Sequence, residues 1–301
     1  MNMDSIFSMF LNDYYIQVLI MLGIYLIGAL GLNLISGVTG QLSFGHAAFL
    51  SIGAYTSAIL SLRLHLPFPM VLLAGGFMAA LWGVLLGYPT LRLTGDYLGI
   101  ATLGFGEIVR VVFLNLSITG GALGLSGIPR YTTLTLVIVL VVLTVWAMYR
   151  LENSRFGRAL VAIREDEIAA EAMGVNITTS KITAFAIGTF LAGISGGLYA
   201  HLIQYLNPQD FGFQKSFDFL TFVVLGGLGS IPGVILGTTV LTLAPEFLRF
   251  VAEYRMMVYG ALMVIMMIFR PRGLLGGVKL TRLLSRRKVQ NTGTSAAGGA
   301  N

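Results

Sequence analysis

Residues Ser154–Asn176 read SRFGRALVAIREDEIAAEAMGVN and carry charges of both signs between two long apolar runs. Elsewhere charge is scarce, because only 11% of the 301 residues are Asp, Glu, Lys or Arg, against roughly 25% in soluble domains. We call Ser154–Asn176 the charged segment. Its pattern predicts a helical element that docks a soluble partner. The alternative is a solvated loop helix without a partner.

The rest of the composition predicts a membrane protein. Hydrophobic residues make up 56% of the chain, and the mean hydropathy is +0.84. Most of the outer surface must therefore face lipid. We expect an all-α polytopic membrane protein with about eight to nine transmembrane segments, each near the ~20 residues that cross the hydrocarbon core. The apolar runs are Tyr15–Gly37, Gln41–Leu62, Pro67–Tyr88, Tyr97–Leu116, Tyr131–Tyr149, Lys181–Leu206, Phe217–Leu248 and Met256–Phe269.

Charge predicts the orientation of these spans. Five of the 19 Lys and Arg lie in Arg150–Lys181 and seven in Arg270–Lys288. Cytoplasmic loops carry such an excess, so both regions are predicted to be cytoplasmic. Counting spans then places the N-terminus outside and the C-terminus in the cytoplasm. Met1–Tyr14 has no Lys or Arg, which agrees and argues against a cleaved signal peptide.

The same count requires Phe217–Leu248 to leave and return on one side. This run is interrupted by GGLGSIPG at Gly226–Gly233, which predicts two short helices or a re-entrant hairpin. One long tilted helix with a kink is the alternative. Residues 1–280 are interpreted as a single transmembrane domain, and residues 281–301 as a basic and then disordered cytoplasmic tail.

Small residues recur every four positions in three of the runs, which predicts helices that cross closely. They are Gly75, Ala79, Gly83 and Gly87; Ala184, Gly188, Ala192, Gly196 and Ala200; and Gly229, Gly233 and Gly237.

Several kinds of chemistry have no support in the sequence. Cysteine is absent, and no phosphate-binding glycine loop of the P-loop type occurs, so we expect neither an enzyme nor an ATP site in this chain. His46, His65 and His201 are too dispersed to predict a metal site. The net charge of +6 is confined to the loops described above, so nucleic acid is not an expected partner.

Polar residues within the apolar runs are candidates for a solute path, because each is costly unless it faces protein or water. Asn33, Gln41, Ser43 and His46 cluster around the turn between the first two runs. Helix capping and hydrogen bonding between helices are the alternative, above all for Ser43. The glycines of the broken run, Gly226, Gly227 and Gly229, are further candidates.

Glu107 and Arg110 lie deep in the fourth run and three residues apart, so they share a helix face. At about 1.5 Å per residue, Glu107 lies ~15 Å from the start of that run. The pair is interpreted either as part of the solute path or as a structural salt bridge between helices. Proton coupling through Glu107 is a third possibility.

Five stretches in order resemble the permeases of bacterial branched-chain amino-acid ABC importers. They are GLNLISGVTGQLSFGHAAFLSIGAYTSA from Gly31, LGIATLGFGEIVRVVFLN from Leu98, the charged segment, FVVLGGLGSIPGVILGTTVL from Phe222, and FRPRGLLG from Phe269. The resemblance covers about Gly31–Gly276. It implies a second, similar permease, two cytoplasmic ATP-binding subunits that hold ATP and Mg²⁺, and an extracytoplasmic solute-binding protein.

The resemblance also implies a role for the charged segment in coupling to the ATP-binding subunits. The E-A-A-x-x-x-G pattern of ABC importers is displaced here, because Glu167 lies one place early relative to Ala169, Ala170 and Gly174. An apolar face is predicted from Ile163, Ile168, Ala169, Ala172 and Met173. The residues expected to couple to the ATPase are Arg155, Arg158, Arg164, Glu165, Asp166, Glu167, Ala169, Ala170, Glu171 and Gly174.

Import of leucine, isoleucine and valine is the function that the resemblance implies. Related permeases for urea, short-chain amides or other amino acids share much of the pattern. A self-sufficient secondary transporter or channel is the alternative from another class, with Glu107 as its only candidate for ion coupling. A structural scaffold is the third, and the break at Gly226–Gly233 argues against it.

Overall fold

A computed structural model describes residues 13–90, 96–247 and 260. Six of its helices are long and apolar enough to cross a membrane, and a shorter apolar helix follows at Ile231–Ala244. Apart from residue 260, the predicted eighth span Met256–Phe269 lies outside the described residues, and so does the tail 281–301. The long helices are α1 Asp13–Leu32, which continues as a π-helix over Asn33–Val38, α2 His46–Leu64, α3 Phe68–Thr90, α4 Asp96–Asn115, α5 Leu134–Glu152 and, after the charged segment, Ile177–Ile203.

The second span begins later than predicted. We expected it from Gln41, but residues 39–45 are not helical and α2 begins at His46. The His46 Nε2 lies 2.9 Å from the carbonyl oxygen of Gly28, which precedes the end of α1 by four residues. The chain therefore turns back alongside α1 before α2 begins.

The first turn of α2 is held by hydroxyl groups from other helices. Gly45 occupies the N-cap position and offers no side chain. Instead, the Ala47 amide donates to Ser216 Oγ at 3.0 Å, and the Phe44 amide donates to Thr102 Oγ1 at 3.0 Å. The Ala47 bond satisfies an amide group that the start of a buried helix would otherwise leave unpaired, and the Phe44 bond holds the chain just before the helix.

The helix Ile177–Ile203 lies at the centre of the bundle and packs against α1, α2 and α3. Its predicted stripe of small residues is buried on this face. A Cβ atom at Gly196 would overlap the carbonyl oxygen of Leu50 on α2, and one at Gly188 would lie 2.6 Å from the carbonyl oxygen of Gly31 on α1. The stripe is therefore the surface on which helix backbones approach each other, as predicted.

The predicted break in the seventh run is confirmed. Helix Phe213–Gly226 ends at Gly227, which has φ +113°, and a second helix begins at Ile231 and reaches Phe247. The two helices pack face to face, because Cβ atoms at Gly226 and Gly233 would each overlap the other residue's carbonyl oxygen. The alternative of one continuous kinked helix is wrong. We call Phe213–Phe247 the hairpin.

The long helices α3, α4 and α5 are buried much less than the central ones. Large apolar side chains cover their free faces, including Phe77, Leu81, Val142 and Trp146. Such faces suit lipid or a partner helix.

The two ends of the bundle differ. The charged segment lies at one end, which we call the docking end. At the opposite end the loop before α5 meets the chain after Ile203 through an antiparallel pairing of Leu125–Ser126 with Tyr205–Leu206. This two-residue pairing is a small departure from the predicted all-helical fold.

Candidate functional site

The charged segment is an ordered pair of short helices, α6 Arg155–Glu165 and α7 Glu167–Ala172. Each begins at a side-chain cap. Ser154 Oγ accepts from the Gly157 amide at 3.1 Å, and Asp166 Oδ1 accepts from the Ala169 amide at 2.9 Å. Asp166 is extended, so it separates the two helices and caps the second. The sequence predicted the helical character but not this break.

Apolar side chains of the charged segment divide into an inward and an outward set. Leu160, Ile163 and Ala170 are buried against the bundle. Ile168 and Met173 are 82% and 84% exposed. The residues of the predicted apolar face therefore do not share one surface, because Ile163 packs inward. Ala170 of the predicted coupling set has no free surface for a direct partner contact. A docking partner would therefore contact Ile168 and Met173.

Most charged residues predicted for coupling are also exposed. The exposed members of the predicted set are Arg155, Arg158, Arg164, Glu165, Asp166, Ala169, Glu171 and Gly174. Gly174 has φ +84°, a conformation that favours glycine, and it ends α7 before Asn176 caps the next helix.

Two side-chain contacts fasten the charged segment to the bundle. Lys181 Nζ donates to Glu167 Oε1 at 2.6 Å, and Lys181 is only 7% exposed. Arg164 Nη1 donates to the carbonyl oxygen of Gly37 at 2.8 Å, while its Nη2 pairs with Glu165 at 3.0 Å. No local pattern of residues predicted either long-range contact.

Glu167→Gln is expected to lower the free energy of unfolding by about 1–3 kcal/mol, because it leaves a buried ammonium without its charged acceptor. The measurement is the thermal midpoint of the purified chain in detergent. Glu171→Gln is the matched control, since Glu171 is exposed on the same short helix. Equal midpoints for the two variants would contradict the assigned role of the Glu167–Lys181 pair.

The first group of predicted path residues is buried, and several of its polar atoms lack partners. Within the described residues no hydrogen-bond partner is found for Ser43 Oγ, both amide atoms of Gln41, or His46 Nδ1. Ser43 does not cap α2, so the capping alternative fails for this residue. Unpaired buried polar atoms are the pattern that a hydrated or solute-lined region leaves. Asn33 differs, because its Oδ1 accepts from the Gly229 amide at 2.9 Å.

Glu107 and Arg110 form an ion pair within α4, with Oε2 and Nη2 2.7 Å apart. Their side chains are 38% and 30% exposed. The predicted pairing is present, but it joins two residues of one helix rather than two helices. Arg110 Cδ lies 3.7 Å from the position of a Cβ at Gly212, just before the hairpin.

A further cation near the start of the hairpin was not among the predicted residues. Lys215 Nζ donates to the Tyr25 hydroxyl at 2.7 Å and lies 4.3 Å from the centre of the Tyr25 ring. The sequence feature that could have pointed to Lys215 is its position as a single Lys at the edge of an apolar run. Of the predicted glycines, Gly226 ends the first helix of the hairpin, Gly227 and Gly229 lie in the turn, and the Gly229 amide donates to Asn33 Oδ1.

The described helices form a membrane-type bundle with a capped, charged helix pair at one end. The family described as branched-chain amino acid transport system permease component matches residues 14–267. This chain belongs to that family.

Several proteins described as branched-chain amino acid transport permeases are similar to this chain over most of its length. The chain is 42% identical over 287 residues to the high-affinity branched-chain amino acid transport system permease protein LivM of Escherichia coli (strain K12), covering 84% of this chain and 68% of that protein. It is 27% identical to LivH, the corresponding permease protein of the same organism, covering 84% and 91%. The probable LivM of Methanocaldococcus jannaschii is 27% identical, with 87% and 93% covered. No solved structure matches.

Proposed function

We propose that this chain is the membrane-spanning subunit of an ATP-driven importer for leucine, isoleucine and valine. Family membership and the 42% identity to a LivM permease support the solute class. The structural observation that carries the mechanism is the outward pair Ile168 and Met173 on the capped helices of the charged segment. Two large apolar side chains held in water by an ordered element favour a protein partner.

That partner is a cytoplasmic ATP-binding subunit, which holds the ATP and Mg²⁺ that this chain lacks motifs to bind. We place the chain in the inner membrane, with the docking end and the C-terminus in the cytoplasm and the N-terminus outside; the apolar spans and the family support a multi-pass membrane protein. The acidic run Glu165–Glu167 suits basic groups on the ATPase. A solute-binding protein delivers the amino acid to the opposite end.

A second permease completes the membrane part. Escherichia coli has both LivM and LivH as permease proteins, and this chain resembles both. The Glu107–Arg110 pair supports the idea that one face of α4 is covered in the assembly. Ionised groups in a membrane-spanning segment avoid lipid, and this pair is partly exposed in the isolated chain. That face therefore lines the solute path or the second permease.

Reconstitution of the complete importer in proteoliposomes tests this proposal. With the second permease, the ATP-binding subunits, the binding protein and ATP, we expect accumulation of labelled leucine, isoleucine and valine. Urea and acetamide serve as competitors, because permeases for urea and short amides have a similar pattern. Stronger competition by urea than by valine would reassign the solute.

The chain alone is the control for the alternative class. A secondary transporter would accumulate solute on an ion gradient without any ATP-binding subunit. We expect no uptake from proteoliposomes that contain only this chain under proton or sodium gradients. Gradient-driven accumulation would overturn the importer proposal.

A further inference from the structure

Three separate parts of the chain meet at one point of the docking end. Arg164 comes from the charged segment, Gly37 from the π-helical end of α1, and Gly229 from the turn of the hairpin. Arg164 Nη1 donates to the Gly37 carbonyl oxygen at 2.8 Å and lies 2.9 Å from the position of a Cβ at Gly229. The Gly229 amide in turn donates to Asn33 Oδ1 at 2.9 Å. We call Asn33, Gly37, Arg164 and Gly229 the junction.

The junction has no room for further side chains. A Cβ atom at Gly37 would overlap both Asn33 Oδ1 and the Gly229 amide nitrogen. Gly229 has φ +77°, which glycine adopts without strain. Groups in such close contact cannot slide past each other, so a displacement of one is passed to the others.

We propose that Arg164 is a positioning residue for ATP coupling, which ties the charged segment to the end of α1 and to the hairpin turn so that the three move together. The inference rests on the proposed function and adds how the docked ATPase reaches the membrane part. Beside the junction lies a cavity of about 360 Å³, whose hairpin wall is formed by Leu220, Val224 and Leu228. Arg164 lines the same cavity, so its movement changes the width of that space.

Arg164→Gln in the complete importer tests this role. We expect solute uptake to fall at least about tenfold, within the range for loss of coupling between sites. The amount of ATP-binding subunit that co-purifies and the rate of ATP hydrolysis stay within about twofold of the unmodified importer, because Arg164 acts inward. Arg164→Lys restores part of the uptake, since an ammonium group can still donate to a carbonyl oxygen.

Arg150→Gln is the matched control. Arg150 lies in the last turn of α5, outside the charged segment, and its guanidinium carbon lies 5.7 Å from the centre of the Trp146 ring on its own helix. We expect this variant to retain uptake. Release of the ATP-binding subunits by Arg164→Gln would overturn the proposal, because Arg164 would then be a partner contact. Unchanged uptake would overturn it as well.

Hydrogen exchange of the purified chain provides a readout that does not depend on transport. In Arg164→Gln we expect faster exchange in peptides that contain Gly37 and Gly229, and unchanged exchange there in Arg150→Gln. Equal exchange in both variants contradicts the junction itself. If the unmodified importer moves no amino acid, the proposed function fails, while the exchange measurement still decides whether Arg164 holds the junction.

Discussion

The double variant Ile168→Asp and Met173→Asp is expected to lose its ATP-binding subunits while remaining folded in the membrane. Both side chains are more than four-fifths exposed, so the chain alone loses little packing when they change. In the complex they would sit in the contact, where a buried unpaired carboxylate costs several kcal/mol. Because about 1.4 kcal/mol changes affinity tenfold, co-purified ATPase and ATP-driven uptake should both fall at least about tenfold.

A control at the other end of the bundle distinguishes docking from a general effect of a new charge. Leu123 is as exposed as Ile168 but lies in the loop before α5. Leu123→Asp should leave the amount of bound ATPase unchanged. The docking assignment is contradicted if the double variant keeps its ATPase, or if Leu123→Asp loses the ATPase to the same extent.

Gly196→Ala adds a single methyl group and should destabilise the bundle strongly. The added Cβ would overlap the carbonyl oxygen of Leu50, and a backbone atom in a packed helix cannot move aside as a flexible side chain can. We expect a loss of at least about 3 kcal/mol, at the upper end of the usual range for overpacking. Membrane-inserted yield and the thermal midpoint in detergent measure this loss.

Gly104→Ala is the matched control, with the opposite sign expected. Gly104 lies within α4, and nothing lies within 4 Å of the position that its Cβ would take. Replacing a helical glycine by alanine at a free site stabilises by about 0.4–1 kcal/mol. A Gly196→Ala variant as stable as Gly104→Ala would contradict the close crossing of the central helix with α2.

The sequence predicted the parts of the fold that depend on local composition. Hydropathy and the spacing of small residues located the spans and the packing stripe of the central helix. The glycines at Gly226–Gly233 predicted the hairpin. The reversal of the chain there depends on the backbone conformation of these neighbouring residues, which is a local property of the sequence. The late start of α2 was missed, since its first turn is capped by Thr102 and Ser216, which come from distant helices.

The candidate site was predictable only in part, for the same reason. The charged segment was evident from its composition, whereas the inward direction of Ile163 depends on how α6 packs against the bundle. The contacts of Arg164 with Gly37 and of Asn33 with Gly229 join residues 127 and 196 positions apart. A single sequence carries no local pattern for such pairs. Asn33 and Gly229 had been predicted to line the solute path, and Arg164 had been predicted to couple to the ATPase.

Labelling of one cysteine tests the central claim most directly. The chain has no cysteine, so Ile168→Cys creates a unique thiol on the charged segment. A membrane-impermeant maleimide should label it only in inside-out vesicles stripped of ATP-binding subunits, and adding those subunits back should block the reaction. Labelling from the outside of intact cells, or equal labelling with and without bound ATPase, would contradict an ATPase that docks on this segment from the cytoplasm.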